Sequence, residues 1–115
     1  MKNMLSKWFI PEVIERLEIY ARLLVEWNEK VNLTAITTSE EIAIKHFYDS
    51  IFPAVFLELT SDLKVIDVGT GAGFPGLALK IAYPQLKVTL LDSLQKRTIF
   101  LQTVIEELGL KDIDV

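Results

Sequence analysis

Residues 64–76 read Lys64-Val65-Ile66-Asp67-Val68-Gly69-Thr70-Gly71-Ala72-Gly73-Phe74-Pro75-Gly76. Val65 to Val68 has the β-branched composition of a short strand, and it runs into glycines at alternating positions. Such glycines, set between a strand and a helix, let the backbone turn tightly and approach a ligand closely. The helix that follows, Pro75 to Tyr83, stops before Pro84, and its N-terminus is expected to present free N–H groups. Val88-Thr89-Leu90-Leu91 is a second strand of buried type and ends at Asp92. Leu94 to Leu108 is a second helix, with Phe100, Leu101, Val104, Ile105 and Leu108 on one face and Gly109 as its C-terminal cap. Ile113 to Val115 begins a third strand. Strands alternating with helices in this way imply an α/β fold with a parallel sheet and right-handed crossovers.

Upstream the period changes. From Pro11 to about Asn28 the apolar positions Val13, Leu17, Tyr20, Leu24 and Trp27 recur at steps of four and three, one face of a helix. Pro11 suits a first helical turn, where its missing N–H costs nothing. Thr38 with Glu41 reads as a capping box for a further helix from about Ser39 to Ile51, with Pro53 just past its end. Residues 1–60 are therefore expected to form an N-terminal helical cap on an α/β unit spanning residues 61–115.

Composition narrows the class. The chain has 115 residues, 50% hydrophobic and 24% charged, with no cysteine and a net charge of −4. These values fit a soluble globular domain and exclude a disulfide scaffold, a thiolate zinc site and a cysteine nucleophile. The longest charge-free run, Val68 to Leu79, has 12 residues, well short of the ~20 that span a bilayer. No secretory signal is visible before Pro11, so a cytoplasmic setting is expected. Six basic and eight acidic side chains fall in each of residues 1–50 and 51–115, so neither half carries a basic run for gripping phosphates.

The glycine loop admits two ligands. Gly71-Ala72-Gly73-Phe74-Pro75-Gly76 satisfies the dinucleotide pattern G-x-G-x-x-G, with Asp92 lying 19 residues after Gly73. A carboxylate at that strand end can accept hydrogen bonds from both hydroxyls of a ribose. Against a dinucleotide, Asp67 would face the negative pyrophosphate, and Pro75 removes an N–H from the helix start that binds it. S-adenosylmethionine has no phosphate and carries a sulfonium and an ammonium, so an acid before the loop suits it. That favours the methyl donor, with a nucleotide-cofactor oxidoreductase as the alternative.

The run DVGTGAGFPGLALKIAYP followed by LLDSLQKRTIFL closely resembles the bacterial 16S rRNA 7-methylguanosine methyltransferases, once called glucose-inhibited division protein B. Trp27-Asn28 with Asn32-Leu33-Thr34, and His46-x-x-Asp49-Ser50, are similar too, so the likeness runs from about residue 20 to Val115. The resemblance implies a Rossmann-like class I S-adenosylmethionine-dependent methyltransferase sheet, here reaching only the start of its third strand, beneath the helical cap. It implies S-adenosylmethionine as cofactor and 16S ribosomal RNA or the small ribosomal subunit as partner; with one histidine and no cysteine no metal is expected, nor a membrane partner, and the full-length protein is expected to be a monomer. By the same likeness Gly69 and Phe74 line the methyl-donor pocket, Gly71 and Gly73 shape the loop, and Asp92, Ser93 and Leu94 hold the adenosine end. No catalytic residue is assigned, because the family's further binding positions lie beyond Val115.

The remaining candidates have plainer readings. His46, Asp49 and Ser50 can share one helix face, either as a pocket wall or, preferably, as a polar contact fixing the cap to the α/β unit. Trp8, Phe9 and Trp27 could stack on RNA bases, but core packing is the preferred role. Lys96 and Arg97 are either RNA phosphate contacts or a solvated helix start. In the family sheet the first strand is central, so a chain ending at Val115 leaves the 64–68 strand as an open apolar edge. Residues 1–115 alone are then expected to be a poorly soluble or molten fragment, and a catalytically silent binding or accessory module is the third functional reading.

Overall fold

The computed structural model describes residues 1–57 and 63–115. The expected boundary between residues 60 and 61 lies outside the described residues. Three parallel strands, β1 (Lys64–Val68), β2 (Lys87–Leu91) and β3 (Ile113–Asp114), form one sheet in the order β1-β2-β3. Val65 pairs with Val88 and Val68 with Leu91, while Val88 pairs in turn with Ile113. Helix α5 (Gly76–Ala82) connects β1 to β2, and α6 (Gln95–Leu108) connects β2 to β3. Gly109 closes α6 at φ +62°, the left-handed cap expected of it.

Alternation along the strands explains how the sheet is dressed. Val88 and Leu90 of β2 are buried, with Val65 and Ile113 packed against the same core. The opposite face is bare: Ile66 and Val68 of β1 are 64% and 77% exposed, and Leu91 is exposed beside them. Among the described residues β1 has β2 as its one strand neighbour, and no strand lies along its other edge.

The N-terminal half forms a helical layer over α5 and α6. Helix α1 (Lys2–Leu5), which the apolar spacing does not foretell, leads into α2 (Pro11–Asn28), with Pro11 in the first turn. Val13, Leu17, Tyr20 and Leu24 are buried along the α2 face, and the helix packs on both α5 and α6. Asn28 then accepts, through Oδ1, the N–H groups of Leu33 and Thr34, at 2.8 and 2.9 Å, and so stops α2 and turns the chain. Thr38 caps the next helical run by accepting the N–H of Glu41. That run begins as α3 (Ser39–Glu41), widens into a π-helical segment (Ile42–Tyr48), and tightens through α4 (Asp49–Ile51) into a 3₁₀ turn (Phe52–Phe56). A spacing of 3.6 residues foresees one regular helix here, and the π segment is the departure from it.

Trp27 and Phe9 pack against the core as expected. Trp8 does not: it is 38% exposed and lies against Tyr48 with ring centroids 4.6 Å apart. One buried cation fastens the turn after α5. Lys80 is 2% exposed, and its Nζ donates to the carbonyls of Pro84 and Leu86 at 2.6 and 2.5 Å. Lys80→Met keeps the stem packed but leaves those carbonyls without their donor. We expect a loss of about 1–3 kcal/mol in urea unfolding, against no more than about 0.5 kcal/mol for Lys87→Met on the surface.

Candidate functional site at the strand ends

In an open α/β sheet the ligand cleft lies beyond the carboxyl ends of the strands. Here that place holds an open cleft of about 380 Å³, lined by Val68, Gly69, Leu91, Asp92, Ser93 and Arg97. A larger groove of about 520 Å³ lies elsewhere, among Trp8, Tyr48, Phe52 and Tyr83. Its walls are mostly apolar, with Lys7 as the one charged side chain among the lining residues, so it offers little for orienting a polar ligand. Among the described residues no cluster of three or more His, Cys, Asp or Glu could hold a metal ion. No described helix is long and apolar enough to cross a membrane.

The glycine loop closes on itself. The N–H groups of Gly69 and Thr70 both donate to the Leu91 carbonyl, at 2.8 and 3.0 Å. Gly71 donates to Asp92 Oδ2 at 2.9 Å. Gly73 and Phe74 donate to the Thr70 carbonyl. The helix start behind is engaged as well, contrary to the expectation of free N–H groups. Gly76 N donates to Asp67 Oδ2 at 2.9 Å, and Leu77 N to the Gly73 carbonyl at 2.8 Å. The reason is local: Asp67, the last residue but one of β1, lies beneath the helix start and accepts from Gly76 and, at 2.6 Å, from the Thr70 hydroxyl. Pro75, as the N-cap of α5, has no N–H to offer.

The glycines divide by role. Gly69 and Gly71 sit at φ +71° and +59°, and a side chain on either would meet open space. They serve the backbone's turn and leave room over the cleft. At Gly73 and Gly76 a side chain would strike neighbours, the Tyr20 hydroxyl at the first and Leu90 with Asp67 at the second. Those two permit close packing.

Asp92 is the hub. Its side chain is 3% exposed, and it accepts from Leu94 N through Oδ1 at 3.0 Å and from Gly71 N through Oδ2. Arg97 lies 3.5 Å from Oδ2. The Leu94 N–H foremost, with Gly71 and Arg97, holds this carboxyl below the usual carboxylate range. Three partners occupy most of the roughly four acceptor positions of a carboxylate. Accepting from both ribose hydroxyls at once, as the sequence suggested, therefore requires Arg97 to move, because closing the glycine loop takes an acceptor first. Arg97 is thus turned to the cleft, while Lys96 is exposed at the helix start.

The structure brings Gly69, Asp92 and Ser93 to one cleft, with Gly71 joined through Asp92 and Leu94 half exposed beside it. Gly73 and the Phe74 ring face the helical layer instead. Phe74 is sandwiched between Tyr20, with centroids 5.3 Å apart, and His46, at 4.1 Å and 2° from parallel. His46 Nε2 is in turn hydrogen-bonded to Thr34 Oγ1 at 2.8 Å. Asp49 is exposed and Ser50 half-buried; neither bonds His46 among the described residues. His46 does join the helical layer to the glycine loop, but not by the expected polar helix–helix contact: it stacks on Phe74, and its hydrogen bond to Thr34 stays within the N-terminal half. Two contacts escaped the sequence reading, that of the Tyr20 hydroxyl with Ala72 and that of Thr34, quoted there only as part of a motif, with His46. The signal for Tyr20 was available: a tyrosine on a helix's buried face carries a hydroxyl that must find a partner.

Comparison with known proteins follows the same residues. A sequence profile of the family described as rRNA small subunit methyltransferase G matches residues 13–115. Among proteins named ribosomal RNA small subunit methyltransferase G, that of Bacillus cytotoxicus is 52% identical over 103 residues, covering 90% of this chain and 43% of the relative. That of Staphylococcus haemolyticus is 54% identical over 99 residues, covering 86% and 41%. That of Bacillus cereus is 50% identical over 115 residues, covering 97% and 48%. The chain thus spans somewhat less than half the length of these relatives.

His46 gives this site a pH signature. Burial pushes its imidazole below the ordinary value of 6.5, against the opposing charge of Asp49. The unfolded imidazole therefore takes a proton before the folded one does, and stability falls as pH drops from 6.5 through the folded value. His46→Phe keeps the ring stack and removes the proton. Thermal melts between about pH 7 and 5 should show a shallower stability loss in this variant than in the wild type. Parallel profiles would contradict the assignment.

Proposed function

The chain belongs to the rRNA small subunit methyltransferase G family, and from that premise we propose what the whole protein does. It transfers a methyl group from S-adenosylmethionine to ring nitrogen 7 of a guanosine in 16S ribosomal RNA, acting on the RNA or the small subunit in the cytoplasm. The observation that carries the choice of cofactor is the inward hydrogen bonding of the glycine loop. A dinucleotide site aims loop and helix N–H groups at a pyrophosphate. Here the N–H groups of Gly69, Thr70, Gly71, Gly73, Phe74, Gly76 and Leu77 are engaged within the protein. At the cleft stands a carboxylate, Asp92, in place of a phosphate-binding donor, and it suits a ligand without phosphate.

The residues fit that ligand. Asp92 and Ser93 line the cleft with hydroxyl-binding oxygens for the adenosine end, and Leu94 adds an apolar wall. Gly69 and Gly71 keep side chains out of the space above the loop, and Gly73 with Phe74 sets the loop's inner side. Bound there, S-adenosylmethionine supplies an electrophilic methyl group on a sulfonium. Guanine nitrogen 7 already has a free lone pair, so no side chain must first remove a proton. The protein's task is then alignment, which contributes up to roughly 7–11 kcal/mol when two reactants are held in line. The shared name of the relatives supports ribosomal RNA as the acceptor.

Calorimetry on the intact protein tests the cofactor directly. S-adenosylmethionine should bind and NAD should not. Gly71→Val forces a β-branched residue to φ +59° and should abolish the binding. Unchanged affinity in that variant, or competition by NAD, would sink the proposal.

A further inference from the structure

We infer that Tyr20 is a positioning residue for the methyl-donor loop, acting through its hydroxyl on the Ala72 carbonyl and through its ring on Phe74. The inference rests on the proposed cofactor reading and adds a residue from the helical layer to that site.

Tyr20 lies in the middle of α2, wholly buried, and its hydroxyl donates to the Ala72 carbonyl at 2.5 Å across 52 residues of sequence. Burial, with a smaller contribution from the Asp67 charge, pushes its phenol well above the ordinary value, so the proton stays on the oxygen as donor. A purely structural position at the centre of an apolar face is served as well by phenylalanine, because a buried hydroxyl costs stability unless bonded. This hydroxyl is bonded, and its partner is the carbonyl of the Ala72–Gly73 peptide, inside the glycine loop.

That peptide governs the loop. Its carbonyl and the Gly73 N–H point in opposite directions from one plane. Holding the Ala72 carbonyl on Tyr20 therefore aims the Gly73 N–H at the Thr70 carbonyl, where it bonds at 3.0 Å. One residue earlier, Gly71 N is held by Asp92. The segment thus has two anchors, Tyr20 beneath and Asp92 at the cleft, with left-handed Gly71 between them. Gly73 itself has no room for a side chain because the Tyr20 hydroxyl occupies the space. The Tyr20 ring adds a near-parallel stack on Phe74, 16° between planes, with His46 on the other face. Released from Tyr20, the Ala72 peptide can rotate, and the Gly71–Asp92 bond that shapes the cleft loosens with it.

The test is Tyr20→Phe in the intact protein, which keeps the ring and removes one oxygen. Leu17→Ala, a cavity variant one turn away in α2 and equally buried, controls for loss of stability alone. In Tyr20→Phe we expect amide hydrogen exchange at Gly71 and Gly73 to quicken, and the dissociation constant for S-adenosylmethionine to rise, each by about tenfold. Leu17→Ala should lower the melting temperature more and leave local exchange at those two glycines unchanged. Unchanged loop exchange in Tyr20→Phe, or an equal response in Leu17→Ala, overturns the inference. If the wild type binds no S-adenosylmethionine, the cofactor reading fails, and the exchange comparison still decides whether Tyr20 holds the loop.

Discussion

A glycine-rich loop exposes backbone donors that a side chain would otherwise screen, and each donor meets the protein, a ligand or water. In this chain they meet the protein. The Leu91 carbonyl, Asp92, the Thr70 carbonyl and Asp67 take the N–H groups of Gly69, Thr70, Gly71, Gly73, Phe74 and Gly76. The rest of the site depends on that commitment. Asp92 is held because it closes the loop, Asp67 is held at the helix start, and Arg97 is drawn to Asp92. A loop that is already closed has a fixed shape before ligand arrives, which is the preorganisation that alignment chemistry requires.

The same commitment makes the helical layer part of the site rather than a lid placed over it. Tyr20 reaches the loop from α2, and His46 reaches it from the π-helical segment, with Phe74 held between their rings. Thr34 holds His46, and Asn28 holds the turn that carries Thr34. A continuous path of contacts therefore runs from the end of α2 to the ring of Phe74. This gives a physical reason for the Trp27-Asn28, Asn32-Leu33-Thr34 and His46 positions to accompany the glycine loop in one sequence pattern.

How much of this could be read in advance follows from what periodicity measures. Spacing reports which face of an element is buried, and it located α2, β1, β2, α6 and the Gly109 cap to within a residue or two. It placed Asp92 at the strand end for the same reason. Partners are another matter. Lys80 reads as a surface lysine until the turn at Pro84 brings two carbonyls over it. The helix start behind the loop reads as free because nothing in a linear pattern puts Asp67 beneath Gly76. The π segment places Phe47 in the core and His46 on Phe74, and nothing in the apolar spacing marks it off from a regular helix. Trp8 is misread for a similar reason, since a surface stack on Tyr48 satisfies an aromatic ring as well as a core does.

The central claim is that the ligand occupies the cleft at the strand ends while the loop's donors stay turned inward. Titrating S-adenosylmethionine into the ¹⁵N-labelled intact protein tests this residue by residue. The account predicts saturable shifts in the amide signals of Gly69, Asp92 and Ser93, with NAD leaving them in place. Shifts confined to the groove around Trp8 and Tyr48, or a response of the loop amides to NAD, would contradict it.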